Sequence, residues 1–176
     1  MEKPILLRKK ICMLGSFGVG KTSLVRSFVY NIFEEKYLST IGVHISHKAI
    51  TIPSSTAAFT LNLVLWDLAH IEKINEMTKN YFRGASGAII VFDVTRHQDI
   101  KESEFYLKPF QELNPNARFV FVGNKIDLMS KDQIEMEQLL QFSNAHRAPL
   151  ILTSARTGEN VELLFNRLGA LLIEAN

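Results

Sequence analysis

Several features that would define other classes of protein are scarce in this sequence. Cys12 is its only cysteine, so no disulfide can form within the chain and a disulfide-stabilised secreted scaffold is excluded. No apolar run reaches about 18 residues, the length that a membrane-spanning helix needs. An excess of one charge is also missing, because 20 basic and 18 acidic side chains leave a net charge of +2. That balance argues against a nucleic-acid-binding protein, which would show a clustered basic face.

What remains is the composition of an ordinary globular domain. Apolar residues make up 47% of the chain and charged residues 22%, which is enough to build a core. The length of 176 residues predicts a single domain, 1–176. Neither a signal peptide nor a cysteine for lipid attachment is recognisable at the ends. We therefore expect a cytoplasmic monomer without a membrane anchor in this chain, and any contact with a membrane would be peripheral and made through a partner.

Short apolar runs alternate with amphipathic stretches along the whole chain. Strands are predicted at Ile5–Leu14, Val43–Ile52, Phe59–Trp66, Ala88–Phe92, Phe119–Val122 and Leu150–Leu152. Helices are predicted at Lys21–Asn31, Gln98–Leu113, Lys131–Asn144 and Glu159–Ile173. This alternation of strands and helices predicts an α/β protein with the P-loop NTPase fold, a six-stranded, mostly parallel sheet flanked by helices on both faces. Ligands of such sheets bind outside the carboxyl ends of the strands.

A glycine-rich segment, Gly15–Thr22, lies between the first strand and the first helix and fits the pattern G-x-x-x-x-G-K-[ST]. Its backbone N–H groups and the helix dipole favour a bound phosphate. We expect Lys21 to reach the β- and γ-phosphates and Thr22 to offer its hydroxyl to Mg²⁺. The expected phosphate-binding residues are Gly18, Val19, Gly20, Lys21, Thr22 and Ser23.

Two further segments follow later strands and suit recognition of a base. In the first, Asn124–Asp127, the Asp127 carboxylate only accepts hydrogen bonds, which fits the N1–H and amino groups of guanine and disfavours adenine. The stem of Lys125 can lie along the base plane. The second segment supplies Ser154, Ala155 and Arg156, and the Ala155 N–H is expected to meet the guanine oxygen. The sequence therefore predicts GTP or GDP as the ligand, and an ATP-using P-loop kinase is disfavoured.

Together these motifs resemble the Ras superfamily of small GTPases, and most of all its Rab branch, over essentially the whole chain. The resemblance also covers Thr40–Val43, Trp66-Asp67 and Tyr81–Ala85. It implies that Phe33 packs against guanine and that Thr40 binds Mg²⁺ and the γ-phosphate. It implies that Asp67 binds Mg²⁺ through water. Effector, exchange or activating proteins would bind switch I (Thr40–Val43) and switch II (Asp67–Tyr81).

The resemblance fails after the third strand. The family has Trp-Asp-Thr-Ala-Gly-Gln-Glu where this chain has Trp66-Asp67-Leu68-Ala69-His70-Ile71-Glu72. The family glutamine orients the attacking water, and Ile71 has no donor or acceptor with which to do so. His70 replaces a glycine hinge, and either it positions the water itself or it is a partner-facing surface residue. Phe17 stands at a position that is small in most of the family, where a ring would crowd an arginine finger.

Two functions are compatible with this pattern. In the first, the chain is a switch that binds GTP and GDP and hydrolyses GTP slowly, with Lys21, Thr40 and His70 as candidate catalytic residues. In the second, it is a pseudoGTPase interaction scaffold, which either is locked in one nucleotide state or simply uses the fold as a scaffold. Trp66 and Tyr81 also allow two interpretations, since they form an exposed effector patch or pack beneath switch II.

Overall fold

The computed structural model describes residues 5–34, 42–53, 58–69 and 71–174. The strands within these ranges are β1 (Ile5–Leu14), β2 (Val43–Pro53), β3 (Ala58–Leu68), β4 (Gly87–Asp93), β5 (Arg118–Asn124) and β6 (Leu150–Thr153). The helices are α1 (Lys21–Tyr30), α2 (Glu76–Phe82), α3 (Gln98–Leu113), α4 (Met136–Ala145) and α5 (Val161–Glu174). Short 3-10 turns occupy Ile126–Leu128 and Lys131–Gln133.

The six strands form one sheet in the order β2-β3-β1-β4-β5-β6. Only the β2–β3 pair is antiparallel, and the other neighbours run parallel. This confirms the predicted mostly parallel sheet with one hairpin. Strand β4 is buried along its whole length, as its continuous apolar run indicates.

Two hydrophobic cores lie on opposite faces of this sheet. On one face α1 and α5 pack together, and the rings of Phe28 and Phe165 stack with centroids 3.8 Å apart. On the other face α2, α3 and α4 contribute Phe82, Phe110 and Leu139. The alternation along β1 follows the strand period of two, because Ile11 and Met13 face the first core while Cys12 faces the second.

Helix α4 starts later than predicted. The amphipathic pattern predicted a helix over Lys131–Asn144, but the chain makes a 3-10 turn first and α4 begins at Met136. The interruption arises because Ile134 turns into the core, with 8% of its surface exposed. The N–H of Met136 then donates to the carbonyl of Ile134 at 2.7 Å, which is a tight turn and not a helical bond. By contrast, α3 has the predicted bounds although Pro109 lies inside it.

This architecture brings the phosphate loop, the last residues of β3 and the loops after β4, β5 and β6 to the same end of the sheet. Each of them lies at the carboxyl end of a strand of the parallel set. No helix within the described ranges is both long and apolar enough to cross a bilayer.

Candidate nucleotide-binding site

The phosphate loop connects β1 to α1 in a conformation that its glycines make accessible. Gly15 and Gly20 have φ angles of +138° and +102°, which side-chain-bearing residues rarely adopt. A Cβ on Gly15 would lie 2.1 Å from the Val91 carbonyl oxygen, and one on Gly20 would lie 2.2 Å from Asn124 Nδ2. Gly20 caps α1 without a side-chain hydrogen bond, so the helix N-terminus is left open to an anion.

Several carbonyl groups of the loop accept hydrogen bonds from side chains. Lys21 Nζ donates to the carbonyls of Gly15 at 2.7 Å and Ser16 at 2.9 Å. Asn124 Nδ2 donates to the carbonyl of Val19 at 2.9 Å. Because a trans peptide directs its C=O and N–H in opposite senses, these bonds turn the adjoining N–H groups the other way. The loop is therefore arranged as an anion cradle by the protein alone.

Lys21 is the only loop cation, and it is buried. Burial lowers its pKa from 10.5 to about 8, while the neighbouring Asp67 carboxylate acts in the opposite direction. A lysine with this pKa is still mostly protonated at neutral pH, so it provides a positive charge beside the anion cradle. The charge is expensive to bury without a counter-ion, and a phosphate oxygen would supply one.

Thr22 and Asp67 meet on the other side of the loop. Thr22 Oγ1 donates to Asp67 Oδ2 at 2.6 Å, while Asp67 Oδ1 is buried and lacks a hydrogen-bond partner. Burial raises the pKa of the Asp67 carboxyl, and the bond from Thr22 opposes that shift. No group of three His, Cys, Asp or Glu side chains in the described part of the chain could hold a metal. A hydroxyl beside an unpartnered carboxylate oxygen nevertheless fits Mg²⁺, which takes few protein ligands and completes its shell from phosphates and water.

The base-recognition loops are joined to each other by Asn124. Its Oδ1 accepts from Thr153 Oγ1 and from the Ala155 N–H, both at 3.1 Å. The sequence predicted that the Ala155 N–H meets a guanine oxygen, and in the structure this N–H donates to Asn124 instead. The guanine contact therefore stays a prediction, and it requires the N–H to be shared between two acceptors.

Asp127 is held in place by the neighbouring loop. Its Oδ1 accepts from Ser154 Oγ at 2.6 Å, and the residue is exposed. Lys125 adopts the left-handed conformation with φ +70°, and its Nζ lies 2.6 Å from Asp93 Oδ2. The Asp127 carboxylate thus faces solvent with one oxygen already fixed by a donor, which suits it to receive the N–H groups of a base.

The other predicted residues fall into two groups. Ser23 is half-buried on α1, Arg156 is exposed shortly after β6, and Phe33, which follows α1, is 37% exposed. Thr40 and His70 lie outside the described residues, so their predicted roles in Mg²⁺ binding and catalysis stay predictions. Of switch I only Gly42 and Val43 are described.

The segment after β3 is held mainly by apolar contacts. Ile71 and Ile74 are half-buried and pack against the core on the α2–α3 face. Trp66 and Tyr81 pack against the same core, with ring centroids 6.4 Å apart, and Lys10 Nζ lies 3.9 Å above the Trp66 ring. Packing beneath switch II is therefore what the structure favours for both rings, each of which keeps some exposed surface.

Sequence reasoning missed a charged cluster at the end of β4. Arg96 lies 3.5 Å from Asp93 Oδ2 and 3.0 Å from Asp99 Oδ2, and it also donates to the Phe17 carbonyl at 3.0 Å. Ser16 Oγ donates to Glu102 Oε2 at 2.6 Å. The signal was available, since Asp93 ends a buried parallel strand and Arg96 and Asp99 follow it closely.

Comparison with known proteins agrees with this geometry. The family model described as Ras family matches residues 10–174. The "Ras-related protein Rab-11B" of Dictyostelium discoideum is 37% identical over 160 residues, covering 90% of this chain and 71% of that protein. The "GTP-binding protein ypt4" of Schizosaccharomyces pombe is 32% identical over 158 residues, covering 89% and 68%. The "Ras-related protein Rab-11A" of D. discoideum is 34% identical over 160 residues, covering 90% and 73%.

Proposed function

This chain belongs to the Ras family of small GTPases and is Rab-like, and from that premise we propose that it binds GTP and GDP with Mg²⁺ and hydrolyses GTP slowly. The observation that carries the proposal is the phosphate loop, whose carbonyls are bound by Lys21 and Asn124 while its N–H groups turn away from those donors. Such an arrangement costs little reorganisation when a phosphate enters.

Selection of guanine would come from Asp127. The Ser154 hydroxyl fixes one carboxylate oxygen at 2.6 Å, so the carboxylate is oriented before a ligand arrives. Adenine presents no N1–H and no neighbouring amino donor, and it would leave the carboxylate unpaired. The stem of Lys125 would lie along the base plane, Phe33 would pack edge-on against the base, and Arg156 would border the loop.

Thr22 and Thr40 of switch I would hold Mg²⁺ directly, and Asp67 would hold it through water. The unpartnered Asp67 Oδ1 supports this assignment, because a buried carboxylate oxygen is costly without a donor and a water on the ion would supply one. When bound, the ion would neutralise charge on the β- and γ-phosphates. Residues of switch I and switch II that depend on the γ-phosphate would then present different surfaces in the two nucleotide states.

Slow hydrolysis is proposed because the switch II segment offers no group to orient water at position 71. Ile71 packs against the core on the α2–α3 face and carries no polar atom in its side chain. Intrinsic hydrolysis by Ras is already as slow as about 10⁻⁴ to 10⁻³ s⁻¹. Loss of one positioning group commonly costs about 10²-fold more. His70 is the alternative candidate for this role.

A second candidate function is a pseudoGTPase scaffold, which Ile71 also favours. The nucleotide released from the purified protein by denaturation and identified by chromatography separates the two. GDP indicates a working cycle and GTP indicates binding with very slow turnover. A protein that neither carries nor binds guanine nucleotide would contradict the switch and support the scaffold.

Single-turnover hydrolysis of GTP tests the catalytic part of the proposal. We expect the wild-type rate to lie well below that of Rab proteins with the family glutamine. The variant His70→Ala separates the two interpretations of that residue, because a further loss of rate would assign it to water positioning. An unchanged rate would leave it to the partner-facing surface, and a rate comparable with ordinary family members would contradict slow hydrolysis.

A further inference from the structure

The residue that controls the outer part of the phosphate loop does not belong to the loop motif. The Phe17 carbonyl accepts a hydrogen bond from Arg96, 79 residues further along the chain, at 3.0 Å. The side chains that donate to other carbonyls of the loop are Lys21, which is part of the motif, and Asn124, which is part of the base-recognition segment. Arg96 follows β4, so a separate loop reaches across the top of the sheet to hold this peptide.

Arg96 is itself held by two buried carboxylates. Asp93 and Asp99 have side chains that are 4% and 2% exposed, and their Oδ2 atoms lie 3.5 Å from Arg96 Nε and 3.0 Å from Nη2. Asp99 also accepts the backbone N–H of Asp93 at 3.1 Å, which fixes its orientation. If Arg96 turned into solvent, the buried Asp99 carboxylate would lose this ion pair, which favours the observed position of Arg96 before any ligand binds.

The bond to Phe17 determines where the next N–H points. A trans peptide is planar, and its C=O and N–H lie on opposite sides. Because Arg96 holds the Phe17 carbonyl, the Gly18 N–H of the same peptide unit must point away from Arg96. Gly18 has φ +75°, a conformation that glycine adopts freely, so this peptide would rotate easily without an anchor.

The same cluster reaches the base-recognition loop and a second point of the phosphate loop. Asp93 Oδ2, which faces Arg96, also lies 2.6 Å from Lys125 Nζ. From α3, Glu102 accepts a hydrogen bond from the Ser16 hydroxyl at 2.6 Å. The end of β4 and the start of α3 therefore contact both the phosphate loop and the base-recognition loop.

We infer that Arg96 is a positioning residue for the phosphate loop, which orients the Phe17–Gly18 peptide so that the Gly18 N–H faces the phosphates of a bound guanine nucleotide. The inference rests on the proposed function, because it concerns how that nucleotide is held. Arg96 acts through the peptide and need not touch the nucleotide.

The test compares Arg96→Lys with wild type in the full chain. Lysine keeps the positive charge between the two acids but lacks the planar fork that reaches both an acid and the carbonyl. We expect GDP to dissociate about tenfold faster, the scale of one hydrogen bond that involves a charged group. The Gly18 amide resonance of the GDP-bound protein should shift with it. Arg118→Lys, at the exposed start of β5 on the opposite edge of the sheet, should change neither quantity.

A second measurement needs no variant and guards against Arg96→Lys failing to fold. In the GDP-bound wild-type protein, the Arg96 guanidinium protons should exchange slowly with water and show a through-bond correlation to the Phe17 carbonyl carbon. Fast exchange of the Arg96 protons in wild type would overturn the inference. It would also be overturned if Arg96→Lys released GDP at the wild-type rate and left the Gly18 amide resonance unshifted. If wild type binds no guanine nucleotide, the proposed function fails first, and this inference falls with it.

Discussion

The phosphate loop and the segment after β3 form two sides of one candidate site, and they are held by different forces. Side chains of Lys21, Arg96 and Asn124 donate hydrogen bonds to the loop carbonyls, all between 2.7 and 3.0 Å. The segment after β3 relies on apolar packing by Ile71 and Ile74. Just before this segment, at the end of β3, Asp67 keeps one carboxylate oxygen without a hydrogen-bond partner.

This difference indicates that the two sides of the site affect different steps, nucleotide binding on one side and hydrolysis on the other. The loop side is prepared for its ligand by bonds that exist in the protein alone, which favours tight binding. The other side keeps a buried carboxylate oxygen without a hydrogen-bond partner, and Ile71 stands where the family has its water-positioning glutamine. Binding and hydrolysis would therefore respond to different substitutions, and the following experiments examine that separation.

The largest effect should come from Lys21→Ala. The variant loses the buried cation and leaves the carbonyls of Gly15 and Ser16 without their donor. We expect GDP affinity to fall by about 10³-fold, or about 4 kcal/mol, as measured by titration calorimetry. Lys101→Ala, on the exposed side of α3, is the matched control and should bind normally. A loss below tenfold would mean that the loop does not depend on this charge.

Ile71→Gln should change hydrolysis and leave binding intact. A glutamine at this position can orient water, and we expect the single-turnover rate for GTP to rise by about 10 to 10²-fold. The GDP dissociation constant should stay within a factor of about two. Ile74→Gln is the matched control, because Ile74 packs against the same core. An equal rise in that control would attribute the effect to loosened packing.

Ser154→Ala should weaken recognition of the base. The variant removes the hydroxyl that donates to Asp127 at 2.6 Å, so the carboxylate loses its orientation. We expect GDP affinity to fall about tenfold, with a smaller loss for IDP, whose base lacks the amino group. Ser130→Ala, whose hydroxyl bonds Gln133 in a neighbouring loop, should bind both nucleotides as wild type does. An equal loss for GDP and IDP would contradict orientation of Asp127 as the cause.

The lowered pKa of Lys21 predicts a pH dependence of binding. Above its pKa of about 8 the ligand-free chain holds Lys21 increasingly neutral, whereas bound phosphate favours the charged form. Nucleotide binding should therefore take up a proton above pH 8, and affinity should fall by up to about tenfold per pH unit up to the higher pKa of the complex. Calorimetry in two buffers of different ionisation enthalpy counts that proton. No uptake at pH 9 would contradict the prediction.

The same shift has the opposite sign for the stability of the ligand-free protein. Folding lowers the pKa of Lys21 from 10.5 to about 8, so the unfolded chain binds more protons between these values. The free energy of unfolding should consequently gain a positive contribution from Lys21 as pH rises through this window. Lys21→Met removes this contribution, and the difference between the two stability profiles isolates it.

The smallest expected effect is on folding stability alone, and it comes from the contact between Lys10 and Trp66. Lys10 lies over the Trp66 ring at 3.9 Å and donates to the Arg83 carbonyl at 2.9 Å, which ties β1 to the end of α2. Lys10→Met should lower the free energy of unfolding by about 1 kcal/mol in denaturant titrations. GDP affinity should not change. Arg8→Met, at an exposed position two residues earlier in β1, is the control, and a loss of GDP affinity in Lys10→Met would couple the two sides of the site.

Much of this arrangement could be predicted from local patterns. The motif Gly15–Thr22 indicated the phosphate loop, and the apolar runs predicted six strands and the exact bounds of α3. The start of α4 was wrong, because burial of Ile134 interrupts a pattern that looks helical over Lys131–Asn144. Helix propensity depends on residues that are neighbours in the sequence, so it gives no information on the core against which Ile134 packs.

The sequence by itself determined the order of the elements, the phosphate-loop motif and the unusual residue Ile71, because each depends on residue types at short spacing. Only the tertiary structure decided that Asn124 would bridge three loops and that Asp67 would keep an unpartnered oxygen. It also decided that Arg96 would hold Phe17. These contacts join residues far apart in the chain, and they arise because parallel strands bring their carboxyl ends to one edge of the sheet.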